Sequence, residues 1–199
     1  MSSSHLSKVS GIPGRCHLTE KELKQLLSAT AINRHSGRNR TMILCTHLAG
    51  MRVGEVAALR YCDVLDANGD VRAEVHLAPA QTKGHKGRTV FFPERLRKVL
   101  AIYIGAFKPK HAAAPLFYTQ KRAGFDANTL CQLFFDLYRQ AGLNGASSHS
   151  GRRTFITTLA NKGIGVRVLQ SLAGHRNIGT TQAYIDVNDA MKRAAVELV

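Results

Sequence analysis

Two arginines, two histidines, a lysine and a tyrosine stand in short sequence boxes that are suited to chemistry on a phosphate group. Arginine forks bind phosphate oxygens and keep their charge, histidine and lysine move protons, and a tyrosine hydroxyl can attack phosphorus. The tyrosine, Tyr184, follows His175 by nine positions. In chain order the boxes are Gly50-Met51-Arg52-Val53-Gly54-Glu55, Thr82-Lys83, His149-Ser150-Gly151-Arg152, Leu172-Ala173-Gly174-His175 and Thr180-Thr181-Gln182-Ala183-Tyr184.

The overall charge agrees with an anionic substrate. The 199 residues include 28 Lys and Arg against 13 Asp and Glu, which gives a formal net charge of +15. Such a field favours a polyanion, with nucleic acid ahead of an anionic membrane. No stretch approaches the roughly 18 apolar residues of a membrane-spanning helix, and residues 1–14 form no secretory signal. The sequence therefore predicts a cytoplasmic protein that binds nucleic acid and does not associate with a membrane.

Metal binding is not expected. No two of the nine histidines stand four positions apart on a plausible helix, and no carboxylate cluster suits Mg²⁺. The cysteines form no C-x-x-C pair, so we expect free thiols in a reducing cytosol and neither a metal nor another cofactor. These cysteines are Cys16, Cys45, Cys62 and Cys131.

The elements that must position the boxes are mainly helical. Thr19 and Glu22 have the spacing of a capping box and open the first helix. Segment 71–77 alternates with period two, segment 88–92 is β-prone and stops at Pro93, and the glycine-rich stretch between them has hairpin composition. The sum is an α+β fold, a mainly helical domain with one small antiparallel sheet. Further helices are expected at about 40–49, 53–59, 94–105, 127–141, 151–162, 166–173, 179–185 and 188–198.

Together and in this order, the five boxes resemble the catalytic domain of the tyrosine recombinase (phage integrase) family. The resemblance covers about residues 18–187, and five boxes in order are far more specific than any one of them. It implies a site-specific recombinase or integrase of bacterial, phage or mobile-element origin. Such enzymes cleave and rejoin double-stranded DNA through a 3′-phosphotyrosyl intermediate, without ATP or metal.

The resemblance assigns the phosphate oxygens to basic side chains. Attack on a phosphodiester builds a pentacoordinate phosphorane with extra negative charge on its non-bridging oxygens. Arg52 and Arg152 would bind these oxygens, and His175 would donate a hydrogen bond to one of them. Glu55, three residues after Arg52 on the same helix face, would orient that arginine.

The proton transfers fall to three further residues. Tyr184 would be the nucleophile, and because a phenol has a pKa near 10 it must lose its proton during attack. His149 would act as its general base or positioning partner. Lys83, at the tip of the hairpin, would protonate the leaving 5′ oxygen.

Neighbouring basic residues offer alternatives at two positions. On charge grounds Arg153 could bind the phosphate in place of Arg152, but the H-x-x-R spacing selects Arg152. Lys86 would also reach a phosphate, whereas the family's lysine ends the first strand after a small polar residue, which selects Lys83.

The resemblance also divides the chain. Residues 1–17 would be a flexible leader, 18–187 the catalytic domain, and 188–199 a C-terminal segment that docks on a neighbouring protomer of a DNA-bound homotetramer or packs on its own domain. Most members carry a core-binding domain before the catalytic one, so this chain is either an excised catalytic domain or a short member like the fimbrial phase-switch invertases. Accessory DNA-bending proteins would be further partners.

Two other functions remain as alternatives. A type IB topoisomerase-like enzyme would use the same chemistry to relax supercoils. A DNA-binding regulator on the same scaffold would lack catalysis, but it would be expected to have lost the tyrosine or an arginine, and all six catalytic positions are filled.

Overall fold

Helices dominate the computed structural model, which describes residues 17–82, 84–107, 109, 111–185 and 189–197. Two short strands form the sheet of the described part, so the predicted mainly helical α+β fold is confirmed. None of the helices in these ranges is long and apolar enough to cross a membrane. The elements are α1 (Glu20–Ala31), α2 (Ser36–Ala49), α3 (Val53–Ala57), α4 (Tyr61–Val64), β1 (Glu74–Leu77), a 3₁₀ turn (Pro79–Gln81), β2 (Arg88–Phe91), α5 (Glu94–Ala106), α6 (Ala127–Gln140), α7 (Ser150–Asn161), α8 (Val166–Ala173), α9 (Ile178–Gln182) and α10 (Asp189–Val196).

Helix α1 begins as the sequence predicts. The Glu22 backbone N–H donates to the Thr19 hydroxyl at 3.2 Å, and the Thr19 N–H donates to the Glu22 carboxylate at 2.7 Å. This capping box satisfies donors that the first turn would otherwise leave unpaired. The apolar stripe of α1 is buried in the core through Leu23, Leu26 and Leu27.

Helix α2 runs through the centre of the molecule and packs on α1, α5 and α7. It begins at Ser36 rather than near residue 40, because the polar Arg38 and Asn39 are themselves buried in its first turns. A Cβ on Gly151 of α7 would lie 2.3 Å from the Thr46 hydroxyl, so only glycine allows this close helix contact. Gly50, with φ +60°, ends α2 and turns the chain towards α3.

The two strands form an antiparallel hairpin in which Val75 pairs with Val90 and Leu77 with Arg88. β1 is shorter than predicted, since it begins at Glu74 and Val71 pairs only with Leu65 in an isolated bridge. Val75, Leu77 and Val90 are buried. The alternation of the strands therefore directs Arg88 to the same interior face.

The C-terminal helices carry the last two boxes. Helix α8 ends at Gly174 in the left-handed conformation, with φ +60°, and His175 follows directly. Helix α9 ends at Gln182 instead of near residue 185, and the Tyr184 N–H donates to the Thr181 carbonyl at 3.0 Å. Tyr184 therefore stands on a turn after α9 and not within a helix.

Candidate active site

Three arginines from different elements hold the carboxyl end of α8. Arg88 Nη1 donates to the Leu172 carbonyl at 2.9 Å, and Arg52 Nη2 donates to the Gly174 carbonyl at 2.8 Å. Between them, Arg152 Nη2 donates to the Ala173 carbonyl. The last carbonyls of a helix lack partners within the helix and carry its negative dipole end, which is why cations bind there.

Arg52 is positioned from within its own turn. It precedes α3, and its backbone N–H and its Nη1 donate to the two oxygens of Glu55 at 2.7 and 2.8 Å. Glu55 is only 1% exposed, whereas the Arg52 side chain is 23% exposed. The buried carboxylate thus holds Arg52 by two hydrogen bonds, while part of the arginine side chain stays open to solvent.

Arg152 is the most buried of the three arginines, at 6% exposure. Its second amino group donates to the Gly50 carbonyl, so it joins the end of α2 to the end of α8. Burial, followed by the positive charges of Arg52 and Arg88, lowers the pKa of Arg152 to about 9. Arg153, the alternative on charge grounds, is more exposed than Arg152.

The site carries an excess of positive charge. Among the described residues, the guanidinium groups of Arg52 and Arg88 form ion pairs with one shared carboxylate, that of Glu55. The hydrogen bonds of Arg152 go to neutral carbonyls. The positive charges of this cluster outnumber its negative charges, so it is suited to binding an anion.

His175 and Tyr184 lie against each other beside this cluster. Their rings are stacked, with centroids 6.0 Å apart and an interplanar angle of 22°. His175 Nδ1 lies 2.9 Å from the hydroxyl of Thr181, which is completely buried. Burial and then the charges of Arg152, Arg52 and Arg88 lower the pKa of His175 to about 4, so its ring is neutral at pH 7.

Of the other two predicted residues, His149 is described by the structure and Lys83 is not. His149 is exposed and precedes the first turn of α7, three residues before Arg152. Lys83 lies outside the described residues. The loop around it is closed by a hydrogen bond from the Thr82 hydroxyl to the Lys86 carbonyl at 2.6 Å, and Gly84 lies beside Arg176, the residue after His175. Gly84 of the hairpin loop therefore lies close to the part of the site that contains His175.

Sequence reasoning missed two residues of this network, Arg88 and Thr181. Arg88 contacts both oxygens of Glu55 and the end of α8. One signal could have identified it: a charged residue at an interior position of an alternating strand needs a buried partner. Thr181 falls within a quoted box, but its contact with His175 depends on the turn between α8 and α9.

No group of three or more His, Cys, Asp or Glu side chains that could hold a metal ion occurs within the described part of the chain. Of the cysteines described, Cys45, Cys62 and Cys131 are free thiols. Only Cys45 is fully buried, and burial raises its pKa to about 12, so it is inert as a thiolate.

Comparisons with known proteins find tyrosine recombinases. Tyrosine recombinase XerD of Neisseria meningitidis serogroup A is 26% identical over 185 residues, which cover 90% of this chain and 61% of the relative. The crystal structure of XerA recombinase superposes with a TM-score of 0.72 at 27% identity, covering 92% of this chain and 64% of that one. XerH recombinase, in a post-cleavage complex with its difH substrate, shares the fold with a TM-score of 0.69 at 23% identity, covering 94% of this chain and 54% of that one.

The chain thus spans less than two thirds of the length of these relatives. The model of the phage integrase family matches residues 17–191, which include every box described above. On this match over most of its length, the chain belongs to the phage integrase family.

Proposed function

We propose that the protein cleaves and rejoins DNA strands as a site-specific recombinase, with Tyr184 as the covalent nucleophile. The observation that carries the proposal is the stacking of Tyr184 on His175, next to the converging guanidinium groups of Arg52 and Arg152. A hydroxyl nucleophile beside an excess of fixed positive charge is the arrangement that attack on a phosphodiester requires. The family membership and the net charge of +15 support the same conclusion.

Arg52 and Arg152 would bind the non-bridging oxygens of the scissile phosphate. A guanidinium has five N–H donors, and contacts with described residues use two in each of these arginines. The remaining donors are held in place before the substrate arrives. Preorganised donors of this kind stabilise the developing charge of the phosphorane without reorganisation during the reaction.

His175 would donate a hydrogen bond from Nε2 to one of these oxygens. A neutral imidazole can donate from only one nitrogen. If the Thr181 hydroxyl donates to Nδ1, the proton of the ring is on Nε2 and points away from Thr181. Thr181 would therefore select the tautomer that the reaction needs.

The proton transfers are assigned to the residues that the sequence indicates. His149 would accept or orient the proton of Tyr184, and Lys83 would protonate the leaving 5′ oxygen. The position of the hairpin loop beside Arg176 supports the second assignment. Attack by Tyr184 would break the bond to the 5′ oxygen and keep the phosphate as a 3′ phosphodiester on the tyrosine.

Assembly and domain organisation belong to the proposal as well. We expect a catalytic domain at residues 18–187 and a homotetramer on DNA, with residues 188–199 docking on a neighbouring protomer. The proposal places residues 1–17 outside the catalytic domain.

Covalent capture from a randomised duplex pool tests the proposed function without knowledge of the target site. The protein is incubated with nicked duplexes that trap the cleaved state, and adducts that survive denaturation are sequenced. We expect a defined sequence to be enriched, with the protein on a 3′ phosphate. Adducts without sequence enrichment, together with relaxation of any supercoiled plasmid, would identify a topoisomerase instead, and the lack of any adduct would refute strand cleavage.

A further inference from the structure

Arg88 is a charged residue on the buried face of the hairpin, where apolar residues are the rule. It is the first residue of β2 and shares the interior face of the hairpin with Val90 and its cross-strand partner Leu77. Its side chain is only 10% exposed. A guanidinium in such surroundings loses its hydration and is tolerated only with well-formed hydrogen bonds.

Glu55 supplies these bonds and is saturated by them. Its Oε1 accepts from Arg88 Nε at 2.9 Å and from Arg52 Nη1 at 2.8 Å. Its Oε2 accepts from Arg88 Nη2 at 2.7 Å and from the Arg52 backbone N–H at 2.7 Å. A carboxylate has about four lone-pair sites, and all of them are used here.

The sharing of Glu55 is unequal. Arg88 forms the two-pronged fork that arginine and carboxylate prefer, while the guanidinium of Arg52 contributes a single bond. Glu55 thereby orients Arg52 through one guanidinium hydrogen bond. The second amino nitrogen, Nη2, donates to the Gly174 carbonyl instead. The charge of Arg88 also leaves the group of Arg52, Arg88 and Glu55 with a net positive charge.

Gly174 makes room for this arrangement. A Cβ at this position would lie 2.7 Å from Arg88 Cδ and 3.7 Å from Arg52 Nη1. The stem of Arg88 therefore passes directly over the residue before His175, and its Nη1 reaches the Leu172 carbonyl. One side chain thus joins the hairpin, Glu55 and the end of α8.

We propose that Arg88 is a positioning residue that keeps Arg52 available for the scissile phosphate by occupying the carboxylate of Glu55. This inference rests on the proposed strand-cleavage function. Without Arg88, the buried carboxylate would have two empty lone-pair sites, and the nearest cation able to fill them is Arg52. Arg52 would rotate into a fork on Glu55, and the donors meant for the phosphate would be lost.

A double-mutant cycle measures this competition through the rate of covalent adduct formation, on a duplex recovered by the wild-type protein from the randomised pool. We expect Arg88→Met to be slower by about 100-fold, as when a preorganised donor is removed from an active site. Adding Glu55→Gln to Arg88→Met removes the charge that captures Arg52, so the double variant should be at least about tenfold faster than Arg88→Met. A double variant as slow as Arg88→Met, or slower, would overturn the proposal, because a merely structural role predicts that the two losses add.

Two further variants separate positioning from folding. Arg88→Lys keeps the charge but cannot fork on two oxygens, so its rate should fall between those of wild type and Arg88→Met. Arg38→Met removes another buried arginine, 8% exposed, which bonds to the Tyr118 carbonyl away from the site. It should lower thermal stability while the folded protein forms adducts at the wild-type rate. Loss of adduct formation in Arg38→Met to the same degree as in Arg88→Met would contradict a specific role for Arg88.

A crystal structure of Arg88→Met tests the inference even if the wild-type protein forms no adduct. The absence of wild-type adducts would refute the proposed function, whereas the crystal structure reports on Arg52 directly. We expect the guanidinium of Arg52 to form two hydrogen bonds with Glu55 and to leave the Gly174 carbonyl. An Arg52 guanidinium that keeps its single bond to Glu55 and its bond to the Gly174 carbonyl would overturn the proposal.

Discussion

Gly174→Ala perturbs the junction between α8 and the proposed catalytic histidine by a single methyl group. Two costs are expected. Gly174 has φ +60°, where a side chain costs about 1–2 kcal/mol. The new Cβ would also lie 2.7 Å from Arg88 Cδ, when carbon atoms pack at about 3.5–4.0 Å. Overpacking of this kind costs about 1–3 kcal/mol, so we expect a total loss of about 2–5 kcal/mol.

Gly163→Ala is the matched control for this prediction. Gly163 has φ +82°, but an added Cβ there has no atom within 4 Å among the described residues. Urea denaturation should therefore show only the conformational cost, about 1–2 kcal/mol. The difference between the two variants isolates the contact with Arg88.

The activity of the two variants should differ more than their stability. In Gly174→Ala, Arg88 must move by about 1 Å, which strains its bond to the Leu172 carbonyl and its fork on Glu55. Misplacement on this scale near an active site costs about 10²-fold in rate. Covalent adduct formation by the folded fraction should fall accordingly in Gly174→Ala and stay at the wild-type level in Gly163→Ala. Equal stability and equal rates for the two variants would refute the account of this junction.

Three further predictions concern the arginines, the histidine contact and the pH dependence of folding. Arg152→Lys should lower the rate of adduct formation by about 10²–10³-fold, whereas Arg153→Lys should change it little; the reverse order would show that the wrong arginine was chosen. Thr181→Val should slow the same reaction by about tenfold through the loss of one hydrogen bond to His175, and Thr180→Val, at an exposed neighbour, should not; equal rates would exclude a role for the Thr181 hydroxyl. The free energy of unfolding should decrease as pH falls from about 6.5 towards 4, because burial lowers the pKa of His47 to about 4 and the unfolded chain takes up a proton that the folded one does not. His47→Gln should make this slope shallower in chemical denaturation experiments at several pH values, and an unchanged slope would contradict the cause given.

Elements with strong local signals were predictable from the sequence. The capping box of α1 and the bounds of α8 follow from residue types and apolar periodicity, and the structure confirms both. Helix α2 begins at Ser36, before the predicted start near residue 40, and the added first turn contains the polar residues Arg38 and Asn39. In the fold they are buried, with Arg38 bonding to Asn39 and to the distant Tyr118 carbonyl. Only tertiary contacts make such a polar segment an interior helix turn.

The sequence was enough to predict which residues form the candidate site, but not the hydrogen bonds that join them. Box order and spacing identified Arg52, Arg152, His175 and Tyr184, and the structure brings these four residues together. Arg52 and Arg88 are anchored on carbonyls at the end of α8 that lie more than eighty positions away in the sequence, and Arg152 is anchored on one that lies 21 positions away. Local patterns carry no information about such pairings, which is why Arg88 was missed. The role of Lys83 and the assignment of residues 1–16 remain predictions, since these residues lie outside the described part of the chain.

The identity of the residue bonded to DNA tests the central claim most directly. Adducts trapped from the wild-type protein are digested with nuclease and protease, and the modified peptide is identified by mass spectrometry. We predict a nucleotide on the hydroxyl of Tyr184, no adduct from Tyr184→Phe, and normal adduct formation by Tyr118→Phe, a matched loss of a hydroxyl outside the site. A nucleotide on any other residue, or an adduct that persists in Tyr184→Phe, would contradict the account.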